Sequence, residues 1–257
     1  MKLTTNSQQF GQRKLLQKIH CYYKFNENIL GAKDFARNPF NISATMGSPL
    51  FENGKLGNCC TFNRQQTGFR SPNGHIKLNM DSGDQITPLP FSISFWMKIS
   101  SNDVPTSGMI FGLIGRTGTA KDQWYIQYRT TVSNVSYNML SFVKVDGGAN
   151  KYRRIDLDKN VLPLNEWIFI AITDNGIGTE KIYVNGTLVV TNIVDNGYVS
   201  FLTGVPYGSC ISALSAANYV GQFFPGSLDD IAIFKDYILS KDDIDWLYNS
   251  GNGNEII

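Results

Sequence analysis

Phe91, Ile93, Phe95, Met97 and Ile99 alternate with Ser92, Ser94, Trp96 and Lys98. Successive side chains of a strand leave opposite faces, so this run makes a strand with one face in a core. Trp96 stands on the polar face, where an indole needs cover from a loop or a C-terminal helix, or a ligand that uses it. The same signature recurs. Ile19, Cys21, Tyr23 and Phe25 alternate with His20, Tyr22 and Lys24, which predicts a first strand over Ile19–Phe25. Cys59–Phe62, His75–Asn79, Met109–Arg116, Gln123–Thr130 and Met139–Asp146 read as further strands. Trp167–Ile172 is apolar on both faces, as in a central strand covered on both sides. Lys181–Val184 and Leu188–Thr191 flank Asn185-Gly186, a pair suited to the left-handed backbone of a tight hairpin. Asn26–Gly54 and Tyr198–Gln222 read as loops. Many short strands with frequent turns and no heptad or internal repeat predict an all-β, two-sheet antiparallel sandwich.

The closing stretch is Pro225-Gly-Ser-Leu-Asp-Asp-Ile-Ala-Ile-Phe-Lys-Asp-Tyr-Ile-Leu-Ser-Lys-Asp-Asp-Ile-Asp-Trp-Leu-Tyr-Asn-Ser-Gly251. It reads as turn, strand over Leu228–Phe234, link and short helix. Ser240 is suited to the N-cap, with Asp243 completing a variant of the capping box. Ile244, Leu247 and Tyr248 share one helical face, and Gly251 is placed to end the helix. Asp229 alternates with Ile231 and Ile233 and is expected to point with them; a carboxylate aimed at a core needs backbone N–H groups, a cation or a metal.

Gly-Ser-Leu-Asp-Asp-Ile-Ala-Ile-Phe, the following Leu-Ser and the Ile-Asp-Trp-Leu-Tyr-Asn run resemble the closing segment of laminin-G-like domains of the concanavalin A-like superfamily. Phe91-Ser-Ile-Ser-Phe-Trp-Met-Lys98, Glu166-Trp-Ile-Phe-Ile-Ala-Ile172 and Lys181-Ile-Tyr-Val-Asn-Gly-Thr-Leu-Val189 match the same family in the same order. The resemblance spans residues 18 to 250 and implies a jelly roll in which the first and last strands lie together. Lectins, adhesion modules and enzymes share this superfold, so function must be argued from the site. On this reading a basic arm (1–17) precedes a laminin-G-like jelly-roll domain (18–250) and a tail (251–257).

The net charge of +2 gives no case for nucleic acid, and no apolar run reaches membrane-spanning length. Lys2, Arg13, Lys14 and Lys18 put +4 on residues 1–18, which leaves −2 on the remainder. The simplest expectation for this stretch is a solvated tail, with an anchoring arm as the alternative. The opening residues lack an apolar signal region, and Cys21, Cys59, Cys60 and Cys210 show no metal spacing. Free, buried thiols and synthesis in a reducing cytoplasm are expected. Adjacent Cys59 and Cys60 would point to opposite faces of a strand.

The Glu-x-Asp-x-x-Glu strand of jelly-roll glucanases is absent; Asp156-Leu-Asp158 is the nearest acidic alternation. Two histidines leave little for a nucleophile system, and no phosphate loop is present. The expectation is a non-catalytic domain binding a glycan or protein at a surface. Trp124, Tyr152, Tyr198 and Tyr207 are the aromatic candidates for stacking on sugars. The resemblance implies calcium near the loop after the first strand, with Asp34 and Asn38 joined by Asp229 and Asp230; Arg37 and Pro39 depart from the family's small polar loop. A basic arm without a secretion signal also suits an accessory component of a bacteriophage virion, with the arm docking on a partner. A purely structural virion protein and a divergent polysaccharide hydrolase are the alternatives.

Overall fold

The computed structural model describes residues 6–26, 35–36, 42–46, 49–62, 75–78, 90–100, 110–118, 123–132, 135–146, 151–157, 162–193, 206–211, 214–216, 219–221, 224 and 226–257. Helix α1 (Asn6–Lys18) leads into β1 (Ile19–Tyr23), β2 (Ile42–Met46), β3 (Leu50–Asn53), β4 (Asn58–Phe62), β5 (His75–Leu78) and β6 (Phe91–Ile99). There follow β7 (Ile110–Gly118), β8 (Gln123–Val132), β9 (Val135–Asp146), β10 (Lys151–Leu157), β11 (Ile168–Asp174), β12 (Thr179–Val184) and β13 (Thr187–Ile193). The chain closes with β14 (Pro206–Ile211), β15 (Leu214–Ala216), β16 (Tyr219–Gly221), β17 (Gly226–Lys235) and α2 (Lys241–Tyr248).

Two antiparallel sheets form the expected jelly-roll sandwich. The first runs β13-β12-β11-β6-β17-β4-β3, with β1 also paired to β17; the second runs β10-β9-β8-β7-β14-β5-β2. Between them lies the main core, to which β6 gives Phe91, Ile93, Phe95, Met97 and Ile99, as its alternation requires. β11 is buried along its whole length, as expected for a strand covered on both sides. β1 lies against β17, so the two ends of the sandwich domain meet as the resemblance implies.

A second apolar layer covers the outer face of the first sheet. Trp96 is 1 % exposed there, with its ring 6.0 Å from that of Tyr248 on α2 and 5.3 Å from that of Phe169. The C-terminal helix therefore provides the cover that this tryptophan demands. Its capping box is complete: the Ser240 hydroxyl accepts from the Asp243 N–H, and the Asp243 carboxylate accepts from the Ser240 N–H. The end differs from expectation, because Asn249 takes the left-handed position at φ 45°, ahead of Gly251.

Residues 6–18 are not a solvated tail. They form α1, with Leu15 fully buried and the Lys14 ammonium 2.9 Å from the Asp243 carboxylate. A Cβ on Gly11 would meet the Trp246 ring at 3.1 Å, so glycine permits close approach of the two helices. This segment is thus engaged by its own domain. The tail is equally engaged: Ile256 is buried and its N–H donates to the Tyr22 hydroxyl at 3.0 Å. Two stretches read as loops contain strands, β2 and β3 in one and β14 to β16 in the other.

Lys144 of β9 reaches out of the second sheet to Asp174 of β11 and Glu180 of β12 in the first. All three side chains are at most 1 % exposed, so the ion cluster ties the sheets together inside the protein. Burial raises the Asp174 carboxyl against the opposing pull of Lys144 and of the Gly176 N–H. Cys60 joins Cys21 in the inter-sheet core, whereas the Cys59 thiol contacts the Asn53 carbonyl oxygen at 3.7 Å; the adjacent thiols do part to opposite faces. Among the described residues no helix is long and apolar enough to cross a membrane.

Lys144→Ala should cost about 3–5 kcal/mol in denaturant unfolding, because two acids are left buried without their cation. Adding Asp174→Asn and Glu180→Gln should recover most of the loss. The β12–β13 turn has φ 49° at Asn185 and 78° at Gly186, and a Cβ at Gly186 would stand 3.0 Å from the Tyr248 ring. Gly186→Ala is therefore expected to lower stability by about 1 kcal/mol or more, measured in the same way.

Candidate functional site

β17 carries the two acids singled out by the sequence. One edge of it pairs with β6, while the other pairs with β4 over Gly226–Leu228 and with β1 over Ile231–Phe234. Asp229 and Asp230 fall between those two partners. There Asp229 stands opposite Trp96 and Ala232 opposite Ser94, so two residues occupy the space matched by Phe95 on β6. This is a β-bulge, and Asp230 takes φ 50° within it. The extra residue changes the parity of the strand. Leu228, Ile231 and Ile233 enter the core between the sheets, whereas Asp229 shares the helix-covered face with Trp96. The expectation that Asp229 points with Ile231 and Ile233 is corrected by this bulge.

Asp229 Oδ2 accepts the backbone N–H groups of Lys55 and Leu56, both at 2.8 Å. Its Oδ1 is buried without a hydrogen-bond partner. Burial pushes the carboxyl up to about 7, against the pull of those backbone donors and with the Glu255 charge adding to the rise. The Asp230 carboxylate accepts the Tyr22 hydroxyl, and burial drives it well above the usual range. Around this pair the β3–β4 turn, the end of the first strand and the C-terminal tail are knit together. Asn26 accepts the Asn58 N–H at 2.8 Å and donates to Glu255 at 2.7 Å, and Lys24 pairs with Glu255 at 3.0 Å. A Cβ at Gly57, where φ is 85°, would stand 2.1 Å from the Asn26 Oδ1; one at Gly54 would stand 2.6 Å from Asp229 Oδ2. Two glycines thus let the turn close onto the acids.

Asp34 and Asn38, the other half of the expected calcium set, lie outside the described residues. Among the described residues no three His, Cys, Asp or Glu side chains are grouped as a metal site would need. What they offer a hard cation is the unpaired Oδ1 of Asp229, short of the six to eight oxygens that calcium takes. As described, the acids act as caps that hold a seam.

The aromatic candidates are not brought together. Trp124 is 3 % exposed and packs in the core between Phe91 and Phe142, with centroids at 5.7 and 6.3 Å, so its ring offers no face to a sugar. It was read as a platform because it opens a strand beside a turn, but register turns it inward. Tyr152 lies opposite Val145 in β10 and Tyr207 lies in β14; their side chains, and the whole of Tyr198, lie outside the described set.

The outward face of the second sheet shows an arrangement that alternation along single strands did not single out. Ile126 and Tyr128, Leu140 and Phe142, and Ile155 and Leu157 point into the core. The alternating residues therefore face outward, and register aligns them in rows. Gly112, Gln127, Ser141 and Asp156 form one row, and Gly115, Tyr125, Val143 and Arg154 the next. The Ser141 hydroxyl donates to Asp156 at 2.5 Å, and Arg154 pairs with the same carboxylate at 2.8 Å. Gln127 is 1 % exposed, and its Oε1 has no hydrogen-bond partner. The signal available in the sequence was a glutamine between two inward residues, with two glycines on a neighbouring strand.

The model of the concanavalin A-like lectin/glucanases superfamily matches residues 70–245, and the chain belongs to that superfamily. Botulinum neurotoxin type F of Clostridium botulinum is 28% identical over 183 residues, which is 68% of this chain and 14% of the toxin. Botulinum neurotoxin type C of Clostridium botulinum C phage is 28% identical over 127 residues, 48% of this chain and 8% of the toxin. The chain thus spans a small part of the curated relatives it matches. Among solved structures, the binding domain of botulinum neurotoxin DC in complex with rat synaptotagmin II gives a TM-score of 0.68 at 18% identity, covering 92% of this chain and 52% of that one. The binding domain of neurotoxin DC in complex with SialylT gives 0.66 at 19% identity, with the same coverages. These likenesses show the fold.

The raised Asp229 carboxyl gives stability a definite pH dependence. A folded value of about 7 against an ordinary carboxylate value of about 3.9 means that the folded state binds this proton more tightly. Its contribution is greatest below pH about 4, is lost as pH rises towards about 7 and then levels off. Asp230, also raised by burial, acts in the same direction. Asp229→Asn keeps an oxygen for the Lys55 and Leu56 donors and removes the charge. Urea midpoints measured across this range in chelator should fall less steeply for the variant; parallel slopes would assign the titration to another group.

Proposed function

We propose that the chain is a non-catalytic recognition domain that binds a glycan or a protein displayed on a surface. The observation that carries this reading is the likeness, over nearly the whole chain, to toxin binding domains seen with rat synaptotagmin II and with SialylT. The chemistry of the described carboxylates supports binding over hydrolysis. Cleavage of a glycosidic bond needs two carboxyl groups facing each other across the sugar, one of them able to donate a proton. Here Asp174 and Glu180 hold Lys144, Asp229 and Asp230 cap the closing seam, and Asp243 caps α2. Asp156 is clamped by Ser141 and Arg154.

Calcium enters the proposal through one atom. The unpaired Oδ1 of Asp229 is an acceptor to which a cation would bring the missing partner, and a bound ion would offset the charges of Asp229, Asp230 and Glu255 at the seam. Calcium should then raise the melting temperature of the wild type and not that of Asp229→Ala; equal shifts in both, or none in either, remove the metal.

The reading is tested by applying the labelled chain to a glycan array and to an array of cell-surface ectodomains, with polysaccharide panels assayed for released sugar. Saturable binding on one of the arrays without sugar release is expected. Release of sugar, or silence on both arrays, overturns it.

A further inference from the structure

We propose that the protein joins its two sheets covalently: the Lys144 amine condenses with the Asp174 carboxyl to an amide, and Glu180 carries the proton. The inference is independent of the recognition reading. Its first ground is the company that Lys144 keeps. The Nζ of Lys144 on β9 is in contact with the Asp174 carboxyl on β11 and the Glu180 carboxyl on β12, and all three side chains are buried. Asp174 and Glu180 are directly opposite in register, so both acids reach the same nitrogen. Aromatic rings close the place off. The Phe142 ring lies 5.9 Å from Nζ, Trp124 is opposite Lys144 in register, and Phe91 is opposite Asp174. Phe91 packs on both of the other rings at 5.7 Å.

The second ground is charge. An ammonium and a carboxylate in water remain ions because water solvates both. Here they are out of water, where ions are costly even when paired, and two acids face one cation. Condensation of Lys144 with Asp174 removes two of the three charges. The same burial supplies the reactive forms. Passage of a proton from Nζ to Asp174 Oδ2 leaves a neutral amine against a neutral acid, and burial, which raises the Asp174 carboxyl, favours that exchange.

The hydrogen bonds assign the roles. Asp174 Oδ1 accepts the Gly176 N–H at 2.9 Å, which fixes a donor on the oxygen that gains negative charge as Nζ adds to Cγ. Oδ2 faces Nζ and is the oxygen that leaves. Glu180 touches the same nitrogen through Oε1, while its Oε2 accepts from the Asn192 side-chain amide at 3.3 Å. It is held to take a proton from the nitrogen of the tetrahedral intermediate and return it to the Oδ2 hydroxyl. The Nζ–Cγ bond forms, the Cγ–Oδ2 bond breaks, one water departs and Glu180 ends as it began. No electrons are exchanged and no co-reactant enters. The bond fastens β9 of one sheet to β11 of the other and closes a loop between residues 30 apart in sequence, which restricts the unfolded chain. The unfolding comparison of Lys144→Ala above concerns the ion-paired chain, which this reaction consumes.

The test is the mass of the purified chain, incubated folded and then weighed under denaturing conditions, followed by tryptic mapping. The wild type should be one water lighter than its sequence. Trypsin should then give residues 130–151, uncut at Lys144, joined to residues 160–181, with fragment ions placing the bond on Asp174. Lys144→Arg keeps a cation and should hold its full sequence mass. Glu180→Gln keeps both reacting groups and should also hold its full mass, or lose water far more slowly, with its melting curve showing that it is folded. The wild-type mass decides the matter even where a variant fails to fold. A wild type that stays at full mass overturns the inference. So does a lost water without the joined peptides, as from cyclisation at Asp146-Gly147, or a bond placed on Glu180. A folded Glu180→Gln that links as fast as the wild type overturns the role given to Glu180.

Discussion

One additional residue in the last strand governs how this domain closes. Without the bulge at Asp229 and Asp230, β17 would keep its alternation, and a carboxylate would be driven between the sheets beside Ile231 and Ile233. With it, both acids stay on the face that backbone donors and a tyrosine hydroxyl can reach. The bulge also lies where the edge of β17 passes from β4 to β1. The irregularity that rescues the carboxylates thus coincides with the break between two neighbouring strands. The β3–β4 turn, the end of the first strand and the tail gather there because they supply the polar partners that the break requires.

The first sheet needs cover on both faces, and the two covers differ in kind. Between the sheets the cover is hydrophobic, apart from the buried Lys144 cluster that spans them. On the other face it is helical: α2 brings Tyr248 to Trp96, and α1 braces α2 through Lys14 and the close approach at Gly11. Asp243 links these parts, since it caps α2 while accepting hydrogen bonds from Lys14 and Tyr237. Burial alone would raise its carboxyl, yet these donors together hold it below the usual carboxylate range.

Strands with a strong two-residue period were legible in the sequence. Phe91–Ile99 lies as its alternation requires, and the demand that Trp96 be covered is met by the element the sequence offered for it. Asn185-Gly186 makes its hairpin because both residues adopt positive φ. α1 was not legible, since Asn6–Lys18 is mostly polar and carries a glycine; its order comes from contacts more than two hundred residues away. The parity of Asp229 was misread because a bulge leaves no mark on an alternating pattern. Trp124 looked like a platform and is core. The row joining Gln127, Ser141 and Asp156 could not be read from any one strand, since it exists only through the register of neighbouring strands.

Helix α1 and the C-terminal tail come together on one side of the domain. α1 and the C-terminal tail both lie on the helix-covered side of the first sheet, with the whole thickness of the sandwich between them and the polar rows of the second. A surface, a label or a neighbouring domain joined at either end meets the molecule from behind. In such an assembly the second sheet is the one turned away from the point of attachment.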